Sequence, residues 1–181
     1  MRSFISFELP LQAKKGVLRL QQEVAKFKLP LRFTSPKLAH ITLAFFADLK
    51  KPEIALVGNV LEEIVKERQP IEASLGKIGC FPSIERAHMV YIEVAGDTKK
   101  IEAAAKRIRK GLEREQIDFD HKPFLPHITL ARSRKVFDAT ELLPIHLLEP
   151  FPFILNKITL NKSELTRQGP VYTVLKTALF D

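Results

Sequence analysis

Hydrophobic and polar residues follow two different spacings along the first half of the chain. Residues 3–9 alternate with the period of two that is typical of a strand, and apolar side chains from about residue 11 to 28 recur at helical spacing. Short strands are predicted at 31–34 and 40–46, and a second helix is predicted at 54–65. The first half therefore has the order strand, helix, strand, strand, helix.

The second half combines the same two spacings. Its predicted elements are strands at 71–78 and 88–94 around a loop at 79–87, a helix from about 98 to 116, a strand at 127–132, and strands at 153–160 and 171–179 around a turn at 163–170. The alternation in the last two strands predicts a closing antiparallel pair.

A nearly identical heptapeptide occurs twice. LAHITLA spans 38–44 and LPHITLA spans 125–131, with six identities in seven positions. Shifting the first half by 87 residues (127 − 40) superposes the strand at 4–7 on 91–94, the helix at 11–28 on 98–115 and His40 on His127. The repeat predicts that residues 1–181 form one domain with two pseudo-symmetric lobes, in which the HITL motifs at 40–43 and 127–130 are equivalent strands.

Length and charge narrow the class of protein. The 181 residues suit one sizeable core, and the net charge of +8 favours a polyanionic partner such as nucleic acid, although charge alone does not identify one. No apolar run approaches the length of about 20 residues that crosses a bilayer, and the N-terminus lacks a secretory pattern. With the single Cys80, expected to be a buried apolar residue, these features predict a cytoplasmic protein with no membrane partner.

Each HITL motif has a polar and an apolar face. Alternation in a strand puts His40 and Thr42 on one face, and likewise His127 and Thr129, with Ile and Leu on the other. Across a twofold axis the polar faces would line a cleft with two imidazoles and two hydroxyls. Because the reference pKa of histidine is about 6.5, one imidazole can act as a base and the other as an acid, while the hydroxyls donate to phosphate oxygens. This set suits phosphodiester cleavage, which requires no metal ion.

Two other interpretations of the histidines stay open. A lone histidine at a strand edge more often packs than reacts, and duplication alone explains a repeat. A zinc site is the second alternative, but neither motif is accompanied by HExxH, a Cys pair or a nearby acid. Dinucleotide, P-loop and serine-hydrolase motifs are absent from the sequence. No metal and no cofactor are predicted.

The paired HITL motifs resemble the H-h-T-h motifs (h, hydrophobic) of the 2H phosphoesterase superfamily. More closely, the chain resembles the bacterial and archaeal RNA 2',3'-cyclic phosphodiesterases, also called 2'-5' RNA ligases. The likeness covers MRSFISFELP, LRFTSPKLAHITLAFF, GCFPS with MVYIEV, PFLPHITLAR and LNKSELTRQGPVYTVL. It implies a bilobal α+β fold, in which two pseudo-twofold-related antiparallel β-sheets form a central cleft with helices packed outside.

The resemblance also implies a reaction, the metal-independent hydrolysis of RNA 2',3'-cyclic phosphate ends to 2'-phosphates. His40 would be the proton donor to the leaving O3' and His127 the proton acceptor that activates water, with Thr42, Thr129 and Arg132 binding the phosphate. The partner would be RNA with a cyclic phosphate terminus, tRNA fragments included, without an obligate protein partner. Attack by a 5'-hydroxyl in the reverse direction would form a 2'-5' linkage. The near symmetry of the motifs does not itself say which histidine is the acid.

Residues beside the motifs support further expectations. Simple alternation directs Arg132 and Phe45 away from the histidines, unless a bulge or strand end turns Arg132 towards the phosphate, and Phe45 is expected in the core. Relatives often have Trp where this chain has Phe33, so an intact core is expected there, and Ala47 replaces a Gly beside the cleft. Four polar residues lie outside the motifs: Arg86 and His88, which could face RNA, and His121 and His146, which lack a threonine partner.

Three functions are compatible with these residues. The leading one is a cyclic phosphodiesterase for RNA ends. An RNA-end-binding module without turnover would show salt-sensitive binding but no product. A related phosphodiesterase for a small cyclic nucleotide or a 2'-5' oligonucleotide would prefer those substrates to RNA.

Overall fold

The computed structural model describes residues 1–145 and 151–181, which form an antiparallel sheet with helices packed against it. The strands are β1 (Ser3–Glu8), β2 (Arg32–Phe33), β3 (His40–Phe46), β4 (Ile71–Phe81), β5 (Ala87–Gly96), β6 (His127–Phe137), β7 (Phe151–Leu155), β8 (Lys157–Thr166) and β9 (Gly169–Leu179). The α-helices are α1 (Leu11–Ala25), α2 (Glu53–Val65) and α3 (Thr98–Arg114), and two short 3-10 helices span Pro36–Leu38 and Thr140–Leu142. The α+β class expected from the resemblance is confirmed.

The strand order has a twofold pattern. The path through the sheet is β7-β4-β5-β6-β3-β1-β8-β9, and β2 pairs with β6 outside it. The centre of the path is β6 beside β3, where one pair, Ile41 with Ile128, joins the two halves. These two residues are themselves 87 apart (128 − 41), so the repeat axis passes between them. The two sheets expected from the sequence are thus continuous with each other through this pair.

The sheet is strongly curled, as the short connection between β7 and β8 requires. These strands are consecutive in sequence and separated by Asn156 alone, yet β7 forms one edge of the sheet while β8 is next to the other. One residue spans only about 3.5 Å, so the two ends of the sheet must approach each other. The polar faces of β3 and β6 consequently line the inside of a half-barrel.

The helices pack against the apolar side of the sheet. In the first motif Ile41 and Leu43 are fully buried, whereas His40 and Thr42 are half-buried. α1 packs on β4, β6 and β7, α2 packs on β8 and β9, and α3 packs on β3, β4 and α2. Each helix directs one apolar stripe into a continuous core that leaves the opposite face of the central strands open to a cleft.

Most predicted elements are confirmed, and the differences have local causes. α1 ends at Ala25 rather than near residue 28, where Lys28 adopts a left-handed φ of 52°. The loop predicted at 79–87 is shorter, spanning 82–86, because β4 continues to Phe81 and β5 begins at Ala87. A side chain at Gly79 would collide with the ring of Tyr91, so glycine there lets that ring cross the extended strand.

Candidate active site

The two HITL motifs meet at the centre of the sheet. Because Ile41 pairs with Ile128, the flanking histidines and threonines of both strands face the same cleft. A cavity of about 970 Å³ is lined by His40, Thr42, His127 and Thr129 together. The convergence expected from the sequence repeat is therefore present in the fold.

His40 lies in an aromatic environment. Its ring stacks on Phe4 with centroids 4.6 Å apart and meets the edge of Tyr172 at 5.6 Å. Nδ1 lies 2.7 Å from the carbonyl oxygen of Leu38, and Nε2 lies 3.1 Å from the hydroxyl of Thr42. Since a carbonyl only accepts, Nδ1 donates its hydrogen to Leu38, and Nε2 is the nitrogen that gains or loses a proton.

His127 has the same backbone anchor but different neighbours. Its Nδ1 donates to the carbonyl oxygen of Leu125 at 2.8 Å, so Nε2 is again the titrating nitrogen. The rings of Phe81 and Tyr91 meet the imidazole edge-on, each with a centroid distance of 5.5 Å. The Thr129 hydroxyl donates to Sδ of Met89 at 3.6 Å, a weak acceptor that leaves the hydroxyl available to a better one.

Burial lowers the pKa of both histidines. Desolvation is the largest cause for His40, whose hydrogen bond to Leu38 acts in the opposite direction, while the charges of His127, Lys14 and Arg132 lower the pKa further. For His127 desolvation is also the largest cause, opposed by the bond to Leu125 and assisted by Arg132. The neutral imidazole is therefore favoured at both positions in the free protein.

A β-bulge in each motif strand changes which side chains face the cleft. β5 pairs Tyr91 with Thr129 and Val90 with Ala131, so Leu130 is an extra residue in β6. The alternation is reversed beyond it, and Arg132 lines the same cavity as the motif residues. Simple alternation gave the wrong direction for this arginine, and the bulge that was considered as an alternative explains its position.

The first motif strand contains the equivalent bulge. β1 pairs Ser6 with Thr42 and Ile5 with Ala44, which leaves Leu43 unpaired, 87 residues before Leu130 (130 − 43). Phe45 consequently turns into the cavity, where the guanidinium of Arg2 lies 4.8 Å from its ring centroid. The expectation that Phe45 belongs to the core is wrong, because the bulge moves it to the opposite face.

Side chains from two helices hold the bulges. The buried Gln21 of α1 donates Nε2 hydrogens to the carbonyl oxygens of Thr34 at 2.8 Å and Leu130 at 3.0 Å, and Thr34 donates its own N–H to Leu130 at 2.9 Å. Arg109 of α3 donates to the carbonyl oxygen of Leu43 at 3.3 Å. Each helix thus braces the bulge in the other half of the repeat. Neither brace was predicted, since nothing in a polar residue's helical position identifies a bulge carbonyl as its partner.

The cavity extends unevenly from the motifs. Beyond the motif residues and Arg132, its walls come from Arg2, Phe4 and Phe45, from six residues between positions 32 and 39, and from six between positions 163 and 172. Phe81 and Tyr91, whose rings contact His127, do not line it, whereas Phe4 and Tyr172, whose rings contact His40, do. The cavity therefore extends along the rings that contact His40 and not along those that contact His127.

The charge of the cavity is uniformly positive. Its charged walls are Arg2, Arg32 and Arg132, and no Asp or Glu in the described ranges lines it. Within residues 1–145 and 151–181 none of these arginines forms an ion pair with a carboxylate. Arg32 and Arg132 even stand directly opposite each other in the β2–β6 ladder, where like charges destabilise a sheet. An anionic ligand would offset this repulsion.

Other residues singled out from the sequence lie elsewhere. Phe33 is 36% exposed on the cavity wall, so the expectation of a core position there is wrong. Arg86, His88 and Ala47 are exposed and outside the cavity, and His121 packs on Phe119 with ring centroids 4.2 Å apart. His146 lies outside the described residues. Sequence reasoning missed Arg2, Phe4 and Tyr172; the match of Phe4 with Tyr91 at the 87-residue offset was the available signal for one of them.

The described part of the chain lacks two other kinds of feature. In the ranges 1–145 and 151–181, no three His, Cys, Asp or Glu side chains are grouped as metal ligands. No helix described there is both long and apolar enough to span a bilayer.

Comparisons with known proteins identify the family and the fold. The family model of the 2'-5' RNA ligase superfamily matches residues 9–167. An Aeropyrum pernix protein named RNA 2',3'-cyclic phosphodiesterase is 32% identical over 87% of this chain and 90% of its own length, and an Aquifex aeolicus protein of the same name is 29% identical over 97% and 95%. A crystal structure from Thermus thermophilus has a TM-score of 0.81 at 25% identity, covering 99% of this chain and 98% of that one. E. coli LigT complexed with 3'-AMP has a TM-score of 0.76 at 21% identity, with 99% and 97% coverage, which supports the fold.

Proposed function

The chain belongs to the 2'-5' RNA ligase superfamily, the group of paired-motif 2H phosphoesterases, and from that membership we infer that it is an RNA 2',3'-cyclic phosphodiesterase. It hydrolyses the cyclic phosphate at an RNA end to a 2'-phosphate. The observation that carries this function is the convergence of two imidazoles, two hydroxyls and Arg132 on one positively charged cavity. These are a base, an acid and donors for the non-bridging oxygens, the groups that phosphodiester hydrolysis requires.

The uneven cavity supports His40 as the acid and His127 as the base. In an in-line displacement the attacking water and the leaving oxygen lie on opposite sides of phosphorus. The leaving O3' belongs to a nucleoside, which needs space, and the cavity extends past His40 along Phe4 and Tyr172. Water needs little space, and the rings of Phe81 and Tyr91 that contact His127 lie outside the cavity. This difference between the two sides favours His40 as the acid over the reverse assignment.

The proposed reaction then proceeds in one displacement. Nε2 of neutral His127 accepts a proton from water as its oxygen bonds to phosphorus, and the bond from phosphorus to O3' breaks. Protonated Nε2 of His40 gives its proton to O3', so the product has a 3'-hydroxyl and a 2'-phosphate. Before substrate binds, the Nε2–H of protonated His40 can donate to Thr42; in the complex it donates to O3', and the hydroxyls of Thr42 and Thr129 can donate to phosphate oxygens. The reverse of the same step, with a 5'-hydroxyl in place of water, would form a 2'-5' linkage.

The finer parts of this function stay proposals. We propose that residues 1–181 work as one domain, since both halves contribute side chains to one cavity. Metal independence, tRNA fragments as substrates, the absence of an obligate protein partner and a cytoplasmic location are predictions from the sequence and its resemblance.

The test is hydrolysis of a short RNA that ends in a 2',3'-cyclic phosphate, in the presence of EDTA. Wild type should form a terminal 2'-phosphate, and His40→Ala and His127→Ala should not. No product even without EDTA would favour a binding module, which salt-sensitive binding of the same RNA would then support. Product that disappears only with EDTA would contradict metal independence, and a 3'-phosphate would show that the other ester bond breaks.

A further inference from the structure

A second positively charged part of the cavity lies beside the motif residues, where Arg2 lines its wall. Tyr172 and Phe4 contact the ring of His40 and also contact each other, with centroids 4.8 Å apart. They form an aromatic layer against His40. Phe45 pairs with Phe4 across β1 and β3, and the guanidinium of Arg2 lies over the Phe45 ring beside this layer. All of these residues except His40 lie outside the HITL motifs, and all of them line the cavity.

The charge of Arg2 is not neutralised by a carboxylate in the described ranges. Its side chain is exposed, forms no ion pair in the described ranges, and is held by its contact with Phe45. Its charge acts on both Tyr172 and Arg132, so it belongs to the electrostatic environment of the motif site. Within the described ranges, Arg2 is paired to no carboxylate and no carboxylate lines the cavity beside it. Such an arginine is suited to bind a phosphate.

The position of Arg2 relates it to a particular phosphate. If the nucleoside lies on the His40 side of the reacting phosphorus, its ribose and its 5'-oxygen lie against the layer of Phe4 and Tyr172. The next charged group of an RNA chain in that direction is the phosphate on the 5'-oxygen of the terminal nucleotide. Arg2 lies beside this layer, over Phe45, whereas Arg32 lies on the β2 wall, opposite Arg132.

We propose that Arg2, supported by Phe45 and next to Tyr172, binds the 5'-phosphate of the terminal nucleotide, so that the site selects oligonucleotide or 5'-phosphorylated ends over nucleoside 2',3'-cyclic phosphates. The proposal rests on the proposed function and on His40 as the acid. It identifies the substrate class as RNA ends and disfavours a small cyclic nucleotide without a 5'-phosphate.

Three substrates separate the contribution of the 5'-phosphate from that of the rest of the RNA. They are adenosine 2',3'-cyclic phosphate, its 5'-phosphorylated form, and the dinucleotide ApA with a terminal cyclic phosphate. Wild type should have a kcat/KM at least about tenfold higher for the second and third than for the first, as expected for one charge-assisted hydrogen bond. Arg2→Gln should reduce this ratio about tenfold, and Arg2→Lys should restore part of it.

Two arginines provide matched controls. Arg32→Gln removes a cation from the other wall of the cavity and should leave the ratio unchanged, as should Arg134→Gln, an exposed position on β6 outside the cavity. A loss of the ratio in Arg32→Gln but not in Arg2→Gln would mean that the strand leaves over β2 and would overturn the proposal. An equal loss on all three substrates in Arg2→Gln would also overturn it, because Arg2 would then act on the reacting phosphate or on the fold.

The two levels of inference fail in different ways. If wild type hydrolyses all three substrates with equal kcat/KM, the phosphodiesterase function stands and the Arg2 site is wrong. If wild type hydrolyses none of these three substrates and also fails to hydrolyse a longer RNA with a cyclic phosphate end, the proposed function itself fails and the Arg2 site fails with it. A change in Tm for Arg2→Gln is not expected, since only the backbone oxygen of Arg2, which accepts from Ser163, takes part in the sheet there.

Discussion

The two HITL strands have the same four residues, the same bulge at the motif leucine and the same carbonyl anchor at Nδ1, yet their surroundings differ. His40 stacks face-on with Phe4 and contacts the hydroxyl of Thr42, whereas His127 meets two rings edge-on and the hydroxyl of Thr129 donates to Met89. Beyond the bulges, Phe45 faces the cavity from the first strand and Arg132 from the second. Duplication accounts for the pair of imidazoles, and the different residues around each copy are the basis for the separate roles proposed for them.

The largest expected effect is the loss of either histidine, and a modified substrate separates their roles. His40→Ala and His127→Ala should each lower kcat on a cyclic phosphate end by about 10²- to 10⁴-fold, because each removes a proton-transfer group. A substrate with sulfur in place of O3' has a leaving thiolate that needs no acid, so His40→Ala should regain most of its activity on it. His127→Ala should not, and recovery in that variant instead would reverse the assignment of acid and base.

The threonines should have the next largest effect. Thr42→Val and Thr129→Val should each lower kcat about 10²-fold, as for removal of one donor to a developing oxyanion. Only Thr42→Val should also move the alkaline limb of the pH profile to lower pH, because it removes an acceptor of the Nε2–H of protonated His40, which stabilises the charged form. A shift of equal size in Thr129→Val would show that the two motifs differ less than their contacts indicate.

The brace on the second bulge should have a smaller effect. Gln21→Met removes two hydrogen bonds, one to Leu130, and should lower kcat/KM about tenfold by loosening the turn that directs Arg132 into the cavity. Gln21 is a positioning residue in this view, so adding Gln21→Met to Arg132→Gln should cause little further loss. Independent, multiplying effects would indicate a structural role only.

Arg109→Gln is the matched control for that brace. It weakens the hydrogen bond to Leu43, and the cavity residue that follows Leu43 in this strand is Phe45, not an arginine. We therefore expect Arg109→Gln to have a lower Tm than wild type but a smaller change in kcat/KM than Gln21→Met. Reversal of that order would mean that the first bulge, and not the second, positions the phosphate-binding groups.

The spacing of hydrophobic residues and the repeated motif predicted the features of this protein that depend on local sequence alone. Alternation and helical spacing gave the strands around both motifs and all three helices of the described ranges, and the repeat located the pair of histidines. The bulges at Leu43 and Leu130 were not predictable in this way, because an unpaired residue depends on the partner strand, and each bulge reversed the direction inferred for Phe45 or Arg132. The contact of Tyr172 with the site likewise depends on the curl of the sheet, which brings β9 close to β3 although β1 and β8 lie between them in the strand order. The place of Arg2 depends on the pairing of β1 with β3.

The smallest expected effect is a displacement of the pH profile. The proposed mechanism requires His127 neutral and His40 protonated, so kcat/KM should fall below the pKa of the first and above the pKa of the second. Burial lowers both pKa values from 6.5, and the bell-shaped profile should therefore have its maximum below pH 6.5. Arg132 lowers the pKa of both histidines, so Arg132→Gln should move the whole bell to higher pH in addition to lowering its height. Arg134→Gln should leave it in place, and a maximum that stays fixed in Arg132→Gln would show that this arginine does not act on the two imidazoles.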